Sequence, residues 1–244
     1  MARRGERTML AATGLPGHDV GEYAFEWNDI GVKIIGVILL AAVWAAGAGA
    51  ATSSGLDGDV LAEINRVRAH PRAYADELRS YRDSFEGLVA HPDDAPDGLM
   101  TREGRRAVDE AIDYLEAQTP LPPLAASSVL ARGATDLVID QASSGRLGHY
   151  TADGLSPGAR VLRRGGDIYV GEVISYGPAD ARGVVRDLIV DDGVAQRGHR
   201  LLLFSGRFRF AGAACGAHRR YGAMCVVDLS ATSTGAPQVP GTGG

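Results

Sequence analysis

Two histidines, one glutamate in a strand and two aspartates at a helix end are the residues of this chain that could do chemistry together. His149 lies in Leu147-Gly148-His149 and His199 in Arg197-Gly198-His199, each reading as a loop position directly after a glycine. Glu172 falls within DIYVGEVISYG, 167–177, which alternates like a strand, so that Ile168, Val170, Glu172, Ile174 and Tyr176 share one face. A carboxylate in the middle of an apolar strand face is expensive unless it is paired or binds something. Asp191 and Asp192 end an apolar helical run, and three- and four-residue spacing from Leu188 carries one of them onto the core side. Acids at a helix C-terminus oppose the helix dipole, so local helix energetics do not favour them there.

Two imidazoles with one or two carboxylates form the ligand set of zinc or another divalent cation. The separations are long, 23 residues from His149 to Glu172 and 27 from Glu172 to His199, and no HExxH or other short metal motif is present. Each residue also has a plainer reading: Glu172 on a half-exposed edge face, the aspartates as solvated helix-end residues, the histidines exposed or bonded to backbone. Cys215 and Cys225 are equidistant from a turn centred on Arg220, so they lie opposite each other in a hairpin. Such a pair approaches disulfide geometry and bridges in an oxidising compartment.

The elements that must position these residues are legible in the periodicity. A helix runs from Val60, with a break at His70-Pro71 and a continuation over Ala73 to Phe85. Residues 87–103 read as loop, 102–118 as an amphipathic helix, and TPLPPL as proline-extended chain. A helix over about 128–144 carries the stripe Leu130, Ala134, Leu137, Val138 and Gln141, and Gly145 ends it. Loop and a short helix fill 151–166, the strand 167–177 follows, and then a helix over 179–192. Two strands, about 207–217 and 222–230, close the pattern, and the tail 231–244 is disordered by composition. Helices packed on an antiparallel sheet make the class α+β.

The chain has 244 residues and net charge −5, which leaves no basic footprint for nucleic acid. Two cysteines are far too few for a disulfide-built scaffold. Over residues 32–50, VKIIGVILLAAVWAAGAGA reads as a positive n-region, an apolar h-region and an A-x-A-like cleavage site at Ala48-Gly49-Ala50, a secretory signal. The preceding residues, 1–31, carry Asp19, Glu22, Glu26 and Asp29, the wrong charge for an n-region. A start at Val32, from a GTG codon, would give a complete short signal. The alternative is a single-span anchor, which would be the chain's one association with a membrane. Either way the remainder lies outside the cytoplasm, secreted or periplasmic.

Taken in order, EINRVRAHPRAYA, LGHYTADGLSPGARVLRRGG, GEVISYG, LIVDDGVAQRGHRLLLF and FRFAGAACGAHRRYGAMCVVDLS resemble the bacterial branch of the CAP superfamily over about residues 58–230. That superfamily comprises cysteine-rich secretory proteins, insect venom antigens and plant pathogenesis-related proteins, and its module is also called the SCP domain. The resemblance implies a three-layer α-β-α sandwich with a central antiparallel sheet and a cleft holding two histidines and two acids. His149 and His199 match the histidines and Glu172 the first acid. The second acid, commonly glutamate, is here Asp191 or Asp192, one methylene shorter. GEV stands where GEN is usual, and no cysteine-rich extension follows. The implied roles are binding of a divalent cation or a small apolar ligand such as a lipid, metal-dependent hydrolysis, or a cell-envelope interaction in which the His/acid cluster is structural. No protein partner is named by the sequence.

Overall fold

A computed structural model describes residues 54–194 and 196–238. The acidic segment 1–31, the signal-like run 32–50 and the end of the tail lie outside the described residues.

The first helix, α1 (Ser54–Ala69), stops where His70 precedes Pro71, and α2 (Pro71–Asp83) begins on that proline. Proline lacks the N–H needed to continue α1, and its fixed φ suits a first helical position. The second helix therefore starts and stops two residues earlier than the pattern indicates. Inside the stretch read as loop the chain forms a small antiparallel sheet of β1 (Phe85–Glu86), β2 (Val89–Ala90) and β3 (Leu99–Met100). Two-residue strands are too short to show a period in sequence.

Next come α3 (Arg105–Ala117), β4 (Ala125–Ala126) and α4 (Ser128–Ser144). Ser127 caps α4 by accepting the Leu130 N–H at 3.2 Å, and Gly145, at φ 68°, ends it in the left-handed conformation that favours glycine. They are followed by α5 (Pro157–Arg163), β5 (Gly171–Tyr176), α6 (Ala181–Val190), α7 (Gly198–Leu203), β6 (Phe210–His218) and β7 (Gly222–Ser230).

The main sheet has the order β4-β6-β7-β5. Its three long strands are antiparallel, as expected, but the two-residue β4 joins β6 in parallel. Alternation along the strands builds two cores. Val173, Ala211, Ala213, Val227 and Leu229 pack with α1, α2, α3 and α6, while Ile174, Ala214, Met224 and Val226 pack with α4. The result is an α-β-α sandwich of α+β class. Gly212 lets α4 approach closely, since a Cβ there would come within 2.0 Å of the Ala131 nitrogen. Cys215 and Cys225 are direct partners in the β6–β7 register, Cα atoms 4.1 Å apart, and form a disulfide.

Part of the tail is held by backbone contacts that composition does not register. The Ser233 carbonyl accepts from the Ser127 hydroxyl at 2.6 Å, and Thr234 and Gly235 accept the N–H groups of Asp167 and Tyr169 at 2.8 and 2.9 Å. Among the described residues no helix is long and apolar enough to cross a membrane.

Candidate functional site

β5 is an edge strand, and successive residues on it point to opposite faces. Glu172 faces the α4–α5 layer, whereas Ser175 faces α6, where its hydroxyl donates to Asp187 at 2.7 Å. The candidate site straddles this edge, with one histidine approaching from each side.

On the α5 side, His149 Nδ1 lies 2.8 Å from Glu172 Oε1. The second Glu172 oxygen accepts from Arg160, a fully buried side chain of α5. Arg160 also donates to the His149 carbonyl at 2.7 Å and to the Gly133 carbonyl at 3.0 Å, so one guanidinium holds the histidine's backbone and its carboxylate together. Directly opposite Glu172 in the β5–β7 register stands Asp228, fully buried, and no amide, hydroxyl or guanidinium among the described residues donates to its oxygens. Burial, reinforced by the Glu172 charge, raises the Asp228 pKa well above the usual carboxylate range. Burial likewise pushes Glu172 up to about 7, against the pull of Arg160. Two buried acids beside one guanidinium thus hold a proton between them near neutral pH.

On the α6 side, Asp191 ends α6 at φ 58°. Its Oδ1 lies 2.8 Å from His199 Nδ1, and its Oδ2 accepts the His199 N–H at 3.0 Å and the Arg200 N–H at 3.4 Å. His199 is therefore not in a loop: Gly198-His199-Arg200 is the first turn of α7, and Asp191 supplies an acceptor for that turn's unpaired N–H groups. This also accounts for an acid at the end of α6, because the same carboxylate meets the favourable N-terminal end of the next helix. Arg200 in turn donates to the Ile189 and Val190 carbonyls at 2.6 and 2.8 Å, tying α7 to the end of α6.

Asp192 does not join the site. Its oxygens accept the N–H groups of Arg102 and Glu103 at 2.6 and 2.9 Å. The left-handed turn at Asp191 sends the two adjacent side chains in different directions, one onto α7 and the other onto the start of α3.

The two imidazoles differ in charge preference. Burial, then the His199 charge and then Arg160, push His149 down to about 4. Burial also opposes the His199 charge, but the Asp191 hydrogen bond and the charges of Asp191, Asp187 and Glu172 outweigh it, and the His199 pKa is raised. The His199 charge bears on both His149 and Glu172, so the two halves are electrostatically linked. Their side chains remain 21% and 25% exposed.

For a cation the donor set is restricted. Among the described residues no group of three or more His, Cys, Asp or Glu is arranged to hold a metal ion. Glu172 and Asp191 are committed to the Nδ1 atoms, and neither Nε2 has a hydrogen-bond partner among the described residues. These residues do not fit a closed structural zinc site, which needs four protein ligands. The sequence reading missed Arg160, Asp187 and Asp228. Only Arg160 had a signal, the arginine following Gly-Leu-Ser-Pro after the first histidine; the other two sit in apolar runs.

Comparison with known families matches residues 61–229 to the cysteine-rich secretory protein family, CAP. The chain belongs to that family. No curated protein matches it. Among solved structures it is similar to an outer surface protein of Borrelia burgdorferi, at 16% identity and TM-score 0.37 over 45% of this chain and 77% of that one. An extracellular SCP-domain protein of Bacillus anthracis is 18% identical, TM-score 0.38, over 52% of this chain and 38% of that one. A cysteine-rich secretory protein of Staphylococcus aureus is 16% identical, TM-score 0.33, over 51% and 37%.

Proposed function

We propose that this protein is an extracytoplasmic binding module that takes a divalent cation, zinc being the probe of choice, between His149 and His199. One observation carries the reading: two partly exposed imidazoles each have Nδ1 held by a buried carboxylate and an Nε2 with no hydrogen-bond partner among the described residues. Carboxylates behind imidazoles orient rings for metal ligation and raise their basicity. His149, with its pKa near 4, is neutral at physiological pH, as ligation requires. His199, with its raised pKa, must lose a proton, so cation affinity rises with pH. The signal-like run at 32–50 and the hairpin disulfide support an oxidising, extracytoplasmic location.

Calorimetric titration with zinc at pH 7.5 should give micromolar or tighter affinity for the wild type and none for the variant carrying both His149→Ala and His199→Ala. An absence of binding heat from the wild type would remove the cation reading. The lack of a three-ligand group among the described residues favours one second reading, that the His/acid pairs are structural. It predicts that the double variant loses stability while the wild type ignores zinc.

A further inference from the structure

His149 is held by more than Glu172 and Arg160. The residue before it, Gly148, has both peptide groups fixed by side chains from other elements. Its carbonyl accepts from Gln141 Nε2 at 2.7 Å, and its N–H donates to the Tyr176 hydroxyl at 3.0 Å. The Tyr176 hydroxyl in turn donates to Gln141 Oε1 at 2.8 Å. Three hydrogen bonds thus close a ring around one residue, fixing the peptide groups on both sides of it, with α4 and the end of β5 as its walls. Gly148 has φ 92°, a conformation that disfavours any side chain, so the chain direction entering His149 is sharply defined. The hydroxyl is itself held in place, because the Tyr176 ring packs edge-on against His218 at 5.1 Å, and His218 Nε2 lies 2.9 Å from the Arg146 carbonyl.

Gln141 is the costly member. It is fully buried in the apolar stripe of α4, where a leucine would pack without desolvating an amide. Both ends of that amide serve the ring of bonds at Gly148. A fully satisfied buried polar network of this kind rigidifies and selects one arrangement.

We propose that Gln141 and Tyr176 are positioning residues for His149: together they clamp the Gly148 peptide and so aim the imidazole at the shared edge with His199. The proposal rests on the cation-binding reading for its consequence, but the aim of the ring is measurable without any metal.

The test uses Tyr176→Phe, which keeps the aromatic packing, and Gln141→Met, which keeps the volume of the side chain. Supporting residues behind metal ligands typically contribute ten- to a hundredfold in affinity, so each variant should weaken zinc binding by about tenfold or more. In the metal-free protein, the ring nitrogen and Cε1 resonances of His149 should move or broaden, while those of His199 stay in place. A merely structural role would lower the melting temperature without this selectivity. Wild-type zinc affinity in both variants together with unmoved His149 resonances overturns the proposal. If the wild type does not bind zinc, the cation reading falls and the resonances alone decide: selective movement at His149 upholds the clamp, and none overturns it. If Tyr176→Phe fails to fold, Gln141→Met carries the same outcomes.

Discussion

Asp228 is the residue with the least local reason to be an acid. It is fully buried, receives no hydrogen bond from an amide, hydroxyl or guanidinium among the described residues, and faces Glu172 across two paired strands. Its raised folded-state pKa means that its stabilising contribution is fully present below the unfolded value of 3.8 and is lost as pH rises toward the folded value. Asp228→Asn keeps the shape and removes the titration. The variant should therefore gain on the wild type as pH rises, by at most about 1.4 kcal/mol per pH unit for one proton. His149 works in the opposite sense, since its depressed pKa removes stability as pH falls from 6.5 toward about 4. The substitution leaves the His149 titration in place, so the change in the gap with pH reports the Glu172–Asp228 pair. Melting temperatures in the presence of a chelator should show a wider gap between variant and wild type at pH 8 than at pH 5; an equal gap at both would contradict a protonated Asp228.

At the scale of elements, the join between α6 and α7 organises half of the site. Asp191 serves as the left-handed end of one helix and as acceptor for the first N–H groups of the next, while holding the His199 ring. Asp191→Ala should lower stability by about 1–2 kcal/mol for the lost cap and a further ~1 kcal/mol for a Cβ-bearing residue without Asp's local hydrogen bonds in that conformation. It should weaken zinc binding as well. Asp191→Asn tolerates the conformation and retains an acceptor, so most of the stability should return. Asp192→Ala removes two bonds from a half-buried carboxylate and should cost about 1–3 kcal/mol, but should leave zinc affinity unchanged. Denaturant unfolding combined with zinc titration tests all three. Equal loss of affinity in the Asp191 and Asp192 alanine variants would refute the assignment of roles.

Across the whole molecule, positive side-chain charge is carried almost entirely by arginine, and Lys33 is the sole lysine. The folded domain therefore presents guanidinium groups, which stay charged at every accessible pH and form two-pronged bonds to carboxylates, as Arg197 does with Glu103. The same composition gives a simple test of processing. If the chain is cleaved near Ala50, the remaining protein would have one primary amine, its own N-terminus. Exhaustive labelling with an amine-reactive reagent should add one group by intact mass, whereas a retained N-terminal segment adds a second at Lys33.

Much of this was legible in one dimension. The helix over 128–144 and the strand over 222–230 have the limits that their periodicity indicates, because each buries one face against a neighbour and so imposes a repeat on the residues. Cys215 and Cys225 could be paired because a hairpin's register follows from its turn. His149, Glu172 and His199 were marked by unusual residue types in their local patterns. What only the tertiary structure decided is non-local. A single left-handed residue determines that Asp191, and not Asp192, meets His199. Strand order puts Glu172 at a sheet edge and Asp228 beside it. Arg160, Gln141 and Tyr176 acquire their roles from contacts between elements far apart in the chain. Periodicity records which face of an element is buried, but it does not record what that face meets.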